Sequence, residues 1–162
     1  QRLLFFQSLF ARWNVTWDDT RLRRDDDVED GAYHLSIGRH VAADADAWTL
    51  DRDQIVQAVW ALLQNAAEAA TTAHAAGAEV ALRIAASDAL AIEIEDNGAG
   101  VPADAVARIF RPFHTTKADG TGVGLSLARQ IALAHGGTLT LANRMAPDGS
   151  IAGLTARLVL PL

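Results

Sequence analysis

The stretch IFRPFHTTKADGTGVGLSLARQIALAHGG runs from Ile109 to Gly137. It places Thr115, Thr116 and Lys117, then three alternating glycines (Gly120, Gly122 and Gly124), immediately before an amphipathic run beginning with Leu125. Glycine loses more conformational freedom on ordering than any other residue, so a cluster of it at an element boundary calls for a cause. One reading is an ordinary flexible loop. The other is a loop that wraps a phosphate at a helix N-terminus, where unpaired N–H groups and the helix dipole favour an anion. The hydroxyls of Thr115 and Thr116 and the cation of Lys117 suit phosphate oxygens. GTGVGL lacks the Gly-Lys-Ser/Thr that closes a P-loop, and no parallel βαβ unit precedes it, so neither common nucleotide fingerprint applies. The periodicity predicts a helix from about Gly122 to His135, closed by Gly136 and Gly137. His114 has no second metal ligand at useful spacing.

Upstream lies EDNGAGVP, Glu95 to Pro102. It follows two alternating runs, AEVALRIAA and LAIEIED, which predict an antiparallel hairpin with Val80, Leu82 and Ile84 opposing Leu90, Ile92 and Ile94. Asn-Gly and Gly-Val-Pro are ordinary turn chemistry. A carboxylate leaving a strand end, here Asp96, also accepts the exocyclic N–H of an adenine, with Gly98 and Gly100 admitting the ligand to the backbone. Pro102 suits the first turn of a short helix through Phe110. Earlier still, Ile55, Val56, Val59, Leu62, Leu63 and Ala66 mark a helical stripe from Asp53 to about Ala76, with Asp51 or Asp53 as its N-cap. Asn65 sits on that helix in an alanine-rich setting, where an amide costs energy without a partner. It reads either as a satisfied structural amide or as an oxygen ligand for a hard cation such as Mg²⁺. YHLSIGRHV (Tyr33 to Val41) alternates like a strand. TLTLAN and GLTARLVLP supply two more around a Pro-Asp-Gly turn. These elements predict an α+β fold: a two-layer sandwich of a mixed, mainly antiparallel sheet of about five strands on about three helices.

Composition narrows the function classes. The 162 residues suit one domain, and a mean hydropathy of +0.09 suits a soluble globular chain. The absence of cysteine removes disulfides, thiolate metal sites and cysteine nucleophiles together. A net charge of −6 argues against a broad nucleic-acid or acidic-membrane surface. Arg21, Arg23 and Arg24 are answered at once by Asp25, Asp26 and Asp27, a solvated mixed-charge loop. No apolar run approaches the roughly 18 residues of a membrane span. Gln1 in the initiator's place and the apolar opening QRLLFFQSLFARW predict a fragment. Residues 1–30 are then a remnant of an upstream helical segment plus a charged loop, and 31–162 are the domain proper.

Taken together, the order and spacing decide more than any one motif. Asn on a helix, Asp-x-Gly-x-Gly after a hairpin, Phe-x-x-Phe-x-Thr-Thr-Lys, then Gly-Thr-Gly-x-Gly-Leu resembles the catalytic ATP-binding domain of two-component sensor histidine kinases. These match the N, G1, F and G2 boxes of the wider family with DNA gyrase, Hsp90 and MutL, which shares the Bergerat ATP-binding fold. The resemblance covers roughly Tyr33 to Leu162.

It implies that Asn65 coordinates Mg²⁺ on the ATP phosphates and that Asp96 hydrogen-bonds the adenine amino group, in a pocket shaped by Gly98 and Gly100. It implies a lid from about Phe113 to Thr121. There Thr115, Thr116 and Lys117 contact phosphate, and Gly120, Thr121, Gly122, Gly124 and Leu125 form the hinge and the phosphate-receiving helix start. Thr155 is implied as a water-mediated adenine contact. The γ-phosphoryl would pass to a histidine on a dimerisation domain absent from this chain, and on to the receiver domain of a response regulator. None of His34, His40, His74, His114 and His135 precedes an acidic residue as the family's phosphoacceptor does. The fragment is expected to be a monomeric cytoplasmic domain, binding no nucleic acid, of a homodimeric parent open to inner-membrane anchoring. Two positions depart from the family. Ala61 stands where an Asn is common, and Glu68 where a Lys or similar phosphate contact is common. Ala61 also occupies the place of the water-activating Glu of the hydrolysing relatives, against a gyrase-, Hsp90- or MutL-like clamp. A serine kinase of the anti-sigma-factor type and a scaffold without nucleotide are the other readings.

Overall fold

The computed structural model describes residues 33–41, 50–74, 76–86, 88–102, 105, 108–110 and 123–161. In chain order these form β1 (Tyr33–Val41), α1 (Arg52–Ala73), β2 (Ala78–Ala86), β3 (Ala89–Asp96), α2 (Gly124–Ala134), β4 (Thr138–Met145) and β5 (Ile151–Pro161). The strands make one sheet in the order β1-β2-β3-β5-β4, with β1 parallel to β2 and every other pair antiparallel. The mixed five-stranded sheet expected from the sequence is present. Two helices are described rather than about three. The third expected helix, after Pro102, falls partly outside the described residues; its described part is turn, with the N–H groups of Arg108 and Ile109 donating to the Ala105 carbonyl. Residues 1–30 lie outside the described residues.

Helix α1 begins where its cap chemistry dictates. The Asp51 carboxylate accepts the backbone N–H groups of Asp53 and Gln54, satisfying donors that the first turn leaves unpaired. The apolar stripe then buries Ile55, Ala58, Val59, Leu62, Leu63, Ala66 and Ala70 against the sheet. The helix closes at His74, slightly before the expected Ala76. Helix α2 runs antiparallel to α1. The N–H of Asp51 donates to His135 Nε2 at 3.1 Å, tying the start of α1 to the end of α2. His135 Nδ1 lies 2.8 Å from the Ile131 carbonyl, so the partners assign the tautomer with the proton on Nδ1. At the other end, Gly124 lies against Ala61 and Asn65 of α1.

Strand β3 carries the decisive alternation. Leu90, Ile92 and Ile94 are buried facing the helices, and the same period of two aims the next inward position, Asp96, into that layer. Pairing of Leu82 with Ile94 and Ile84 with Ile92 bears out the hairpin. The opposite face carries Arg83–Glu95 at 2.7 Å and Arg157–Glu93 at 3.3 Å. Such exposed pairs contribute at most about 1 kcal/mol. The apolar layer therefore dominates stability. Leu62, 2% exposed between sheet and helices, is a direct test: Leu62→Ala is expected to lower unfolding free energy by about 2–5 kcal/mol in urea titration. A loss under about 1 kcal/mol would place the core elsewhere.

Candidate functional site

The chain leaves β3 at Asp96 and turns through Asn97, Gly98, Ala99 and Gly100 to Val101. Asp96 is 3% exposed, and among the described residues only one of its carboxylate oxygens is engaged. Oδ1 accepts the N–H of Gly98 at 2.8 Å and of Leu154 at 3.3 Å. Among the described residues no donor reaches Oδ2. Burial pushes the carboxyl above its ordinary 3.8, while the Gly98 and Leu154 N–H groups and the charge of Arg144 pull it back in part. The result is a buried acceptor held in place by one oxygen and open at the other.

The loop can occupy this position because two glycines allow it. A Cβ on Gly98 would come within 2.8 Å of Ala69 Cβ and 2.9 Å of the Ala69 carbonyl oxygen, so the loop lies directly on α1, one turn beyond Asn65. A Cβ on Gly153, whose φ is +139°, would collide with the Asp96 carbonyl oxygen. Side chains pin the same loop from two sides. Asn97 Oδ1 accepts the Glu79 N–H at 2.9 Å, and its Nδ2 donates to the Gly77 carbonyl at 2.9 Å. Asn143 pairs with Val101 through both amide groups, and Arg144 donates to the Asp96 carbonyl at 2.9 Å.

The second wall is the meeting of α1 and α2. Asn65 and Ala61, one turn apart, both face the start of α2: a Cβ on Gly124 would sit 3.7 Å from Asn65 Nδ2 and 3.6 Å from Ala61 Cβ. Val123, the N-cap of α2, makes no side-chain cap hydrogen bond, and the first turn has no acidic residue. The structure thus sets Gly98, whose N–H bonds Asp96, and Gly124 one turn apart on α1, at Ala69 and Asn65, while Gly100 lies against Asn143, Ile151 and Gly153. Leu125 packs partly buried against the core, as an apolar anchor for α2. Thr115, Thr116, Lys117, Gly120, Thr121 and Gly122 lie outside the described residues. Thr155 is a correction. It is in register with Glu95, whose side chain takes the sheet face away from the helices, so it stands opposite Asp96 rather than beside it. Its neighbour Leu154 reaches Asp96 instead, through the backbone. Sequence reasoning missed Asn97, Asn143, Arg144 and Gly153. Asn97 was legible only as a turn residue, and the other three become relevant only once β4 and β5 stand beside β3.

Comparison with known proteins follows the same residues. The sequence model of the histidine kinase-, DNA gyrase B- and HSP90-like ATPase family matches residues 50–162, from the cap of α1 to the end of β5. The chain belongs to that family. Within it the similarity is to sensor kinases. The domain is 38% identical over 117 residues to the sensor protein FixL of Bradyrhizobium diazoefficiens, covering 72% of this chain and 22% of FixL. It is 40% identical over 102 residues to the sensory histidine kinase/phosphatase NtrB of Rhizobium leguminosarum bv. phaseoli, covering 55% of this chain and 27% of that protein. The solved mycobacterial sensor histidine kinase MprB superposes with a TM-score of 0.62 at 27% identity, covering 78% of this chain and 81% of that one. The chain spans about a quarter of the curated relatives and most of the solved domain. It is the ATP-binding catalytic domain of the histidine-kinase branch of this ATPase family.

For an ATPase-family pocket, the ionisation of Asp96 carries a stability cost. Its native pKa is raised, so the fold holds the proton more tightly than the unfolded chain does, and the carboxylate present at neutral pH opposes folding. That cost is absent below the ordinary 3.8 and develops as pH rises through the raised value. Asp96→Asn keeps an acceptor for Gly98 and Leu154 without the charge. Without nucleotide it is expected to melt higher than the wild type at neutral pH, with the gap closing as pH falls. A lower melting temperature at neutral pH would contradict this reading.

Proposed function

We propose that this domain binds Mg·ATP between the Asp96 loop and the α1–α2 junction and donates the γ-phosphoryl group to a histidine on a dimerisation domain outside this chain, for relay to a response-regulator receiver domain. The observation that carries the reading is Asp96. A buried carboxylate with Oδ1 doubly satisfied and Oδ2 open is suited to one neutral donor, and the 6-amino group of adenine is such a donor. Guanine presents an oxygen there and is rejected.

Asn65 supports the placement of the triphosphate. Its amide stands beside the start of α2, whose first-turn N–H groups and dipole favour phosphate oxygens. Mg²⁺ prefers oxygen ligands and is usually held by one or two protein groups plus substrate phosphates, a role the Asn65 carbonyl oxygen fits. When bound, the ion neutralises phosphate charge as the β–γ bond opens. Lys117, Thr115, Thr116 and Thr121 are proposed to close over the phosphates as part of the lid, with Gly120 and Gly122 as its pivots. Because phosphoryl transfer needs positioning and charge neutralisation more than covalent help, this set suffices once an acceptor is presented. Ala61 supports transfer over hydrolysis. It faces the start of α2 beside Asn65, where the hydrolysing relatives place their water-activating Glu, and a methyl group cannot act as a base.

Calorimetric titration of ATP with and without Mg²⁺ tests the assignment. Asp96→Asn is expected to abolish detectable binding under both conditions. Asn65→Ala is expected to remove the Mg²⁺-dependent part of the affinity and leave the metal-free part. Wild-type affinity in Asp96→Asn would overturn the adenine pocket. An unchanged Mg²⁺ effect in Asn65→Ala would move the metal elsewhere. With γ-labelled ATP, label is expected on the parent's dimerisation domain added in trans and not on this chain alone.

A further inference from the structure

We infer that Asn143 and Arg144, neighbours on β4, are a positioning pair for the base pocket: they hold the Asp96–Val101 loop from the sheet edge and thereby set the preference for adenine as well as the affinity. This rests on the reading of Asp96 as the adenine-facing carboxylate.

Strand β4 is the outermost strand beside β5 and does not pair with β3. Consecutive strand residues ordinarily face opposite sides of a sheet. Asn143 and Arg144 nevertheless both reach one loop, more than 40 positions earlier in the chain, and the register irregularity of the β4–β5 pair falls at Arg144/Met145. Bulges of this kind re-aim side chains near functional sites.

The two residues act on the two ends of the loop. Asn143 Oδ1 accepts the Val101 N–H and its Nδ2 donates to the Val101 carbonyl, each at 2.8 Å. A planar amide matched to both backbone groups of one residue fixes that residue's orientation as well as its position. The fit between them is tight: a Cβ on Gly100 would come within 2.7 Å of Asn143 Oδ1 and 2.5 Å of Ile151 Cγ2. Arg144 works at the other end, donating to the Asp96 carbonyl at 2.9 Å. The β3–β5 pairing has its last rung at Glu95–Thr155. At the next position Leu154 donates to the Asp96 side chain, and the Arg144 guanidinium takes the Asp96 carbonyl. Backbone pairing gives way to side-chain bonds at the residue proposed to meet the base. The Arg144 charge also favours the ionised carboxylate against its burial.

A mere brace for the fold would weaken every nucleotide alike, whereas a positioning pair alters discrimination. The test is titration of ATP and GTP, with Mg²⁺, into the wild type, Asn143→Ala, Arg144→Met and Arg144→Lys, with a nucleotide-free melting curve for each. Asn143→Ala and Arg144→Met are expected to lose about tenfold or more in ATP affinity, to lose less for GTP, and so to narrow the ATP:GTP ratio. Arg144→Lys is expected to recover most of that ratio. If Asn143→Ala does not fold, Asn143→Asp keeps the acceptor for Val101 N–H and is expected to show the same narrowing. An unchanged ratio, with or without weaker ATP binding, overturns the inference. Absence of any ATP preference in the wild type overturns the adenine reading itself, and the pair's role with it.

Discussion

A carboxylate buried at the end of a central strand is the constraint around which this domain is arranged. Asp96 occupies the inward position that Leu90, Ile92 and Ile94 occupy before it. A charge in that layer is costly unless hydrogen bonds hold it. The chain supplies two backbone donors, both to Oδ1, and the charge of Arg144 offsets only part of the remaining cost. Gly98 lets the loop lie on α1, and Gly153 lets β5 pass against the Asp96 carbonyl. Among the described residues the other oxygen has no donor, and it is there that the proposed recognition of a base would draw on stability given up by burial.

The helix pair supplies the other half of the site by an independent route. Asp51 caps α1 and, through its N–H, holds His135 at the end of α2, so the two helices run antiparallel with their opposite ends in contact. That arrangement delivers Asn65 to the start of α2 and Gly98 to Ala69 one turn further along the same helix. The Asp96 loop and the start of α2 thus meet α1 one turn apart.

Much of this was legible in the sequence because it is local. The period of two in LAIEIED placed Asp96, the stripe from Ile55 to Ala66 placed the face of α1, and Asp51 was one of the two caps the sequence offered, with Asp53. The motif order from Asn65 to Gly124 carried the family. What was not legible depends on strands distant in the chain. Nothing in TLTLANRM marks Asn143 and Arg144 as partners of a loop more than 40 residues away; only the sheet order brings them there. Thr155 failed for the same reason. Its face is set by pairing with Glu95, and that register cannot be read from β5 alone. Lys117 and its neighbours fall outside the described residues, so their part remains the one the resemblance implies.

The most direct measurement is a crystal structure of this domain with a non-hydrolysable ATP analogue and Mg²⁺. The account predicts the adenine 6-amino nitrogen within hydrogen-bond distance of Asp96 Oδ2, with Oδ1 still bound to Gly98 and Leu154 and the phosphates at the start of α2. An adenine ring bound away from Asp96, or one whose amino group finds another acceptor, would contradict it.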